Sequence, residues 1–185
     1  MNLISYNIRG GGALSKRKRI SVLLKVSKVD LCFIQETKLP CFNDNLASSL
    51  WGGNEVEWTS SNSEGASGGM VVLWKKGSLN VNYIFRGHDF IGINIRREGL
   101  IYNLVNIYAP CSGVSRRVLW KELLDRRSKG GNEEWCLGGD FNEVTSREER
   151  LGVAMFHNRL GMEEFKEFIE RMGVVDISCV GGKFT

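Results

Sequence analysis

The stretch GINIRREGLIYNLVNIYAP, residues 92–110, carries two apolar strand patterns joined by Arg97, Glu98 and Gly99. A polar turn closing on glycine between two such runs predicts a β-hairpin, and with it antiparallel pairing. We take its arms as 90–97 and 100–109. Further runs read as strands at 2–8, 29–36, 68–76 and 134–140, with two shorter ones at 55–60 and 80–85. Three stretches read as helices. In 16–28, Ile20, Leu23 and Leu24 share a face; in 115–127, Ser115 is the expected N-cap; in 159–172, Phe165, Phe168, Ile169 and Met172 follow helical spacing, with Gly173 as cap. We read that last stripe as core packing. Helices and strands interleave, yet hairpins are present. The expected class is therefore α/β, with a mixed sheet or two packed sheets covered by helices.

Bulk properties narrow the function. The chain of 185 residues fits one domain, with no linker or internal boundary in view. No stretch approaches a membrane-spanning length, and MNLISYNIRG lacks the parts of a secretory signal, so the fold is expected to start at once, inside the cell and off the membrane. Five cysteines, widely spaced and without a CxxC pair, argue against a disulfide framework or a zinc cluster; mostly buried, reduced thiols are expected. A net charge of +4 permits a phosphate-bearing partner without requiring one. The basic clusters Lys16 to Arg19, Arg96-Arg97, Arg116-Arg117 and Arg126-Arg127 read, taken singly, as solvated faces. RGGGALSKRKR, 9–19, meets neither nucleotide-loop spacing, and SEGASGGM, 63–70, reads as a mobile loop or the start of a hairpin.

The informative feature is where the strand patterns stop. They end on Asn7, on Glu36, on Tyr108, and on Asp140 with Asn142. Each has an ordinary explanation alone: a turn, a solvated acid, a ring with its hydroxyl at the surface. Together they form an oxygen-rich set suited to a hard divalent cation and a phosphate. Ligands gather beyond one set of strand ends in sheet folds, so if these ends share an edge, the five residues line one pocket. Glu36 can hold a metal, Asn7 can orient its water, Asp140 can act as base, and Asn142 and Tyr108 can bond phosphate oxygens. That is equipment for metal-assisted phosphate-ester hydrolysis.

The series NIRG (7–10), IQETK (34–38), SGGMVVLW (67–74), VNIYAPC (105–111), LGGDFNEV (137–144) and GGKFT (181–185) resembles the endonuclease/exonuclease/phosphatase superfamily. Within it, SRRVLWKELL (115–124) and EERLG (148–152) are similar to the apurinic-type endonuclease domain of plant non-LTR (LINE) retrotransposons. The resemblance covers essentially residues 1–185 as one domain. It implies a four-layer α/β sandwich, two packed mixed sheets flanked by helices, and Mg2+- or Mn2+-dependent nicking of DNA. It implies Glu36 as metal ligand supported by Asn7, Tyr108 on the scissile phosphate, Asp140 activating water, and Asn142 orienting phosphate. Thr185 matches the family's threonine. Arg116 and Arg117 are expected to contact DNA backbone, with steep salt dependence.

There are departures. Arg9 stands where some relatives have an acid, and Cys111 where others have Asn. The family continues for further strands bearing an Asp and a catalytic His; the sequence stops at Thr185, and His88 and His157 match no such motif and are assigned to surface or loop. We therefore expect a C-terminally incomplete, monomeric domain lacking the last family strands, nuclear or cytoplasmic, with no obligate protein partner. Two alternatives stand: a non-catalytic remnant that folds and binds metal or nucleic acid, and a small-phosphoester phosphatase of the same superfamily.

Overall fold

Glu98 and Gly99 both adopt left-handed backbone, φ 52° and 83°, and join two antiparallel strands through a two-residue turn. Positive φ at both central positions matches the turn to the twist of the strands. The computed structural model describes residues 1–64, 67–149 and 159–177. Thr185 with its GGKFT segment, EERLG beyond Glu149, His157 and Cys179 lie outside the described residues. The chain falls into two compact units, one of Met1–Tyr108 with Asn132–Asp140, the other of Ala109–Gly131 with Phe141–Thr185.

The first unit holds β1 (Leu3–Asn7), β2 (Leu31–Gln35), β3 (Val56–Glu64), β4 (Ser67–Lys75), β5 (Asn80–Arg86), β6 (Phe90–Arg97), β7 (Leu100–Tyr108) and β8 (Glu134–Asp140). They form two four-stranded sheets, ordered β1-β2-β4-β3 and β5-β6-β7-β8. Both are mixed: β1 with β2 and β7 with β8 are parallel, and the remaining pairs are antiparallel. A parallel pair needs a long crossover. Helix α1 (Leu14–Val26) supplies it between β1 and β2, and α3 (Gly113–Lys129) between β7 and β8.

Alternation along the strands sends successive residues to opposite faces. Cys32, Ile34, Val71 and Leu73 pack under Ile20 and Leu24 of α1 and under Ala47 and Leu50 of α2 (Asp44–Trp51). Leu31, Phe33, Met70, Val72 and Trp74 face the second sheet and meet Ile91, Ile93, Ile95 and Leu104. With both faces covered, all five residues of β2 are buried. Two mixed sheets and accompanying helices are the α/β sandwich the sequence implies. In the second unit, α3 packs on α4 (Arg159–Met172): Trp120 stacks on Phe168 and Phe165 at centroid distances of 4.4 and 5.3 Å. The stripe on α4 is core, as its spacing implied, and Gly173 caps it with φ 66°.

Several expectations need correction. Only three helices were bounded from sequence; α2 is the fourth, started by Asn43, whose side chain accepts from the Leu46 amide at 3.0 Å, and ended by left-handed Gly52. Its eight residues are too few for a clear apolar period. Helix α3 begins two residues before Ser115, because the Ser112 carbonyl already accepts from the Arg116 amide. Leu23 is 39% exposed, since only Ile20 and Leu24, four apart, reach the sheet. Of SEGASGGM, Ser63 and Glu64 end β3 and Ser67 to Met70 begin β4, which is the hairpin alternative of the sequence reading. His88 is exposed, as expected. No helix among the described residues is long and apolar enough to cross a membrane.

The thiols are not mostly buried. Cys32 is buried, Cys136 is half-buried, and Cys41 and Cys111 are exposed, because the latter two lie in loops after β2 and β7 rather than on inward strand positions. All four are free. Burial pushes the Cys32 thiol up to about 12 and also raises Cys136. Since the thiolate is the reactive form, iodoacetamide at pH 8 is expected to label Cys41 and Cys111 in the folded protein and Cys32 only after denaturation. Peptide mass mapping checks this, and rapid native labelling of Cys32 would contradict the inter-layer position of β2.

Candidate active site

The parallel registers place Asn7 opposite Gln35 and Tyr108 opposite Asp140. Asn7, Glu36, Tyr108 and Asp140 therefore lie at the C-terminal ends of four strands of the first unit, two from each sheet. They meet. Asn7 Nδ2 donates to Asp140 Oδ2 at 2.8 Å, and the Tyr108 hydroxyl donates to Glu36 Oε1 at 3.4 Å. Lys38 Nζ lies 3.4 Å from the same Glu36 oxygen. Asn7 Oδ1 accepts the Arg9 amide at 3.0 Å, so both ends of its amide are directed and the oxygen keeps a second lone pair.

The sequence builds this edge through unusual backbone. Arg9, Glu36 and Lys38 have φ between 48° and 57°, a region uncommon for residues other than glycine. The loops bearing them are paired: the amides of Gly10 and Gly11 donate to the carbonyls of Glu36 and Thr37 at 2.7 and 2.6 Å. Thr37 and Lys38 in turn donate to Gly69 and Gly68 at 3.0 and 3.1 Å. The glycine-rich 9–12 loop is thus a backbone partner for the Glu36 loop, consistent with its failing the nucleotide-loop spacing. Strained backbone of this kind persists only where surrounding bonds over-determine it.

Asp140 is delivered by two glycines with different tasks. A Cβ on Gly139, at φ 146°, would lie 1.9 Å from the Ile107 carbonyl oxygen. A Cβ on Gly138 would lie 3.1 Å from the Phe33 ring. Only glycine lets β8 approach β7 and the first sheet this closely.

The donor set fits a hard cation. Glu36, Asn7 and Asp140 offer oxygen only, and no group of three His, Cys, Asp or Glu side chains able to hold a metal occurs among the described residues. One or two carboxylates with water and substrate phosphate suit Mg2+ rather than a closed protein cage.

Asn142, with φ 48°, belongs to the second unit, where its Nδ2 donates to the Ala109 carbonyl at 2.6 Å. Arg116 has a different place from the surface phosphate contact expected of it. It is 7% exposed, pairs with Glu143 at 2.7 Å, and donates to the carbonyls of Pro110 and Cys111. A guanidinium so engaged is a buried tie between the 109–112 and 141–144 segments. Arg117 is more open but pairs with Glu164 on α4 at 3.1 Å. Lys16, Lys18 and Arg19 are exposed, as a solvated face requires, while Arg17 is half-buried; Lys16 and Arg17 also donate to the carbonyls of Ile8, Arg9, Gly11 and Gly12.

The sequence pattern of the Endonuclease/Exonuclease/phosphatase family matches residues 4–168. The chain is 23% identical over 159 residues to the transposon TX1 uncharacterized 149 kDa protein of Xenopus laevis, covering 81% of this chain and 12% of that protein. In fold it is similar to the AP endonuclease LMAP from Leishmania major, with TM-score 0.73, 14% identity, and coverage of 92% of this chain and 66% of that one. It is also similar to the endonuclease domain of TRAS1, a telomere-specific non-LTR retrotransposon, with TM-score 0.66, 14% identity, and coverage of 92% and 71%.

Gly139→Ala is expected to cost about 1–3 kcal/mol from backbone conformation alone and to lower the melting temperature by roughly 5 °C or more. Gly131→Ala, where an added Cβ meets nothing within 4 Å, is the control. Equal melting of both variants would refute the close approach of β8 to β7.

Proposed function

The chain belongs to the endonuclease/exonuclease/phosphatase family, and from that premise we propose that it is a divalent-metal-dependent DNA endonuclease of retrotransposon origin that nicks by phosphodiester hydrolysis. The observation carrying this reading is the Asn7–Asp140 hydrogen bond between strand ends of two different sheets, beside the Tyr108–Glu36 contact. Four oxygen- and amide-bearing side chains converge at one edge, in the order and residue types of the family motifs. The names of the Leishmania AP endonuclease and the TRAS1 endonuclease domain favour DNA over a small phosphoester, as does the similarity to a transposon protein.

Mg2+ or Mn2+ held by Glu36 with the support of Asn7 would neutralise the phosphate and polarise its ester bond. The protein's own groups do the rest. Asn7 Nδ2 holds one oxygen of Asp140, turning the carboxylate toward the attacking water. Asp140 takes the proton of that water as its oxygen bonds to phosphorus. The bond from phosphorus to the leaving oxygen breaks, and that oxygen takes a proton from solvent. The Tyr108 hydroxyl exchanges its long bond to Glu36 for a phosphate oxygen, a donor stronger toward the developing charge than toward the resting carboxylate. Asn142 takes the phosphate-orienting role. Thr185 is assigned to phosphate as well. The backbone of DNA supplies most of the affinity, so binding weakens steeply with salt. An intracellular monomer is the form in which we expect it to act.

Nicking of supercoiled plasmid by the purified chain tests the proposal, with and without Mg2+, beside Asp140→Ala and Glu36→Ala, all shown folded by circular dichroism. We expect Mg2+-dependent nicking, reduced about 100-fold or more in each variant. A folded wild-type chain that never nicks with Mg2+ or Mn2+ would leave the non-catalytic reading. Stronger turnover of a small phosphoester than of DNA would favour the phosphatase reading.

A further inference from the structure

The site's groups are divided between two sheets. Asn7 ends β1 and Glu36 follows β2, while Tyr108 and Asp140 end β7 and β8. Their mutual placement is only as good as the placement of one sheet on the other. Most of that contact is apolar: Leu31, Phe33, Val72, Ile93 and their neighbours. Apolar packing is non-directional and tolerates small slips.

One layer beneath the site, the contact becomes directional. Asn106, two residues before Tyr108 on the same face of β7, is fully buried. Its Nδ2 donates across the sheets to the carbonyls of Ile34 and Val71 at 3.1 and 3.0 Å. Those two residues are directly paired on β2 and β4, so one amide reads the register of the opposite sheet. Asn106 Oδ1 accepts from Gln35 Nε2 at 2.6 Å, and Gln35 Nε2 also donates to Ser5 Oγ at 3.0 Å. Gln35 immediately precedes Glu36, and Ser5 is two residues before Asn7 on the same face. Both amide groups use both their N–H bonds. Gln35 and Asn106 are buried, with Ser5 at the exposed end, and buried amides whose N–H groups are all bonded rigidify and specify one packing arrangement. Gly138 faces the first sheet beside it, where an added Cβ would crowd the Phe33 ring at 3.1 Å.

We propose that the Asn106–Gln35 bridge is a positioning device for the site: it locks the register of the two sheets and so holds Tyr108 and Asp140 against Glu36 and Asn7. This rests on the nuclease reading for its catalytic consequence, though not for its geometric one. Neither residue touches substrate; each acts through its strand neighbour. A displacement of about 1 Å costs on the order of 100-fold in rate when reacting groups must be aligned. Removing the bridge should therefore lower kcat and leave KM for DNA nearly unchanged.

Asn106→Leu keeps the branched shape of the side chain and removes its bonds to Gln35, Ile34 and Val71, leaving the Gln35–Ser5 bond. Tyrosine ring carbons labelled with 13C report the geometry without any need for activity. In the wild type, Glu36→Gln identifies the Tyr108 resonance by shifting it. Asn106→Leu is expected to shift the same resonance while that of Tyr83, on β5, stays in place. Ile93→Val, in the apolar part of the same interface, lowers the melting temperature without shifting Tyr108 and serves as the stability control. Should Asn106→Leu fail to fold, Ser5→Ala trims the bridge at its end and is read in the same way, with a smaller shift expected. In the nicking assay, Asn106→Leu should lose about 100-fold in kcat. A folded Asn106→Leu or Ser5→Ala chain whose Tyr108 resonance is unmoved overturns the proposal. So does a Tyr108 shift of equal size in Ile93→Val. A wild-type chain that never nicks defeats the nuclease reading alone, because the resonance still decides the bridge.

Discussion

Everything at the candidate site depends on the face that the two sheets share. Along each contributing strand this face changes character in the same direction. Leu3, Ser5 and Asn7 succeed one another on β1, Leu31, Phe33 and Gln35 on β2, Leu104, Asn106 and Tyr108 on β7, and Cys136, Gly138 and Asp140 on β8. The apolar end drives the sheets together, since burial removes that surface from water. The polar end cannot be buried without partners, because an unsatisfied buried amide or hydroxyl is costly. Buried Gln35 and Asn106 bond each other, exposed Ser5 and two backbone carbonyls. One step further toward solvent, Asn7, Glu36, Tyr108 and Asp140 form the edge where chemistry is possible.

The loops beyond that edge are stiff for a related reason. Glu36 turns out of β2 in left-handed backbone, and Glu36, Thr37 and Lys38 are tied by main-chain bonds to Gly10, Gly11, Gly69 and Gly68. The left-handed conformation at Arg9, Glu36 and Lys38 costs free energy at each residue. The ladder of bonds between loops offsets it and leaves the Glu36 carboxylate with a defined direction. Close approach sets another limit: a Cβ on Gly69 would lie 2.3 Å from Thr37 Oγ1, so that glycine is required by the Glu36 loop as well as by the hairpin.

Cationic side chains illustrate how local sequence can mislead about charge. Lys16, Arg17 and Arg116 lie in runs that look like solvated or DNA-facing surface. In the fold Arg116 turns inward to the carbonyls of Pro110 and Cys111, while half-buried Arg17 and exposed Lys16 donate to carbonyls of the 8–12 segment. A guanidinium can satisfy several such carbonyls at once, since its donors are arranged in a rigid fork. In a run of adjacent cations, only the helix position decides which member turns inward.

The amino-acid order alone determined the strands, three of the four α-helices among the described residues, the α/β class and the identity of Asn7, Glu36, Tyr108 and Asp140 as strand-end residues. Those features are carried by period, by turn chemistry and by motif order, all of which are local. Helix α2 escaped because eight residues hold too little period. The exposure of Cys41 and Cys111, the inward turn of Arg116 and the bond from Asn7 to Asp140 could not be read, because each depends on residues between 27 and 133 positions away or on the layer above a strand. Only the tertiary structure decided that the strand ends share one edge, since alternation fixes which face a side chain takes but not which sheet lies opposite it. The bridge of Asn106 to Gln35 is of the same kind: two ordinary buried amides in the sequence, 71 residues apart, whose meaning arises only when the sheets meet.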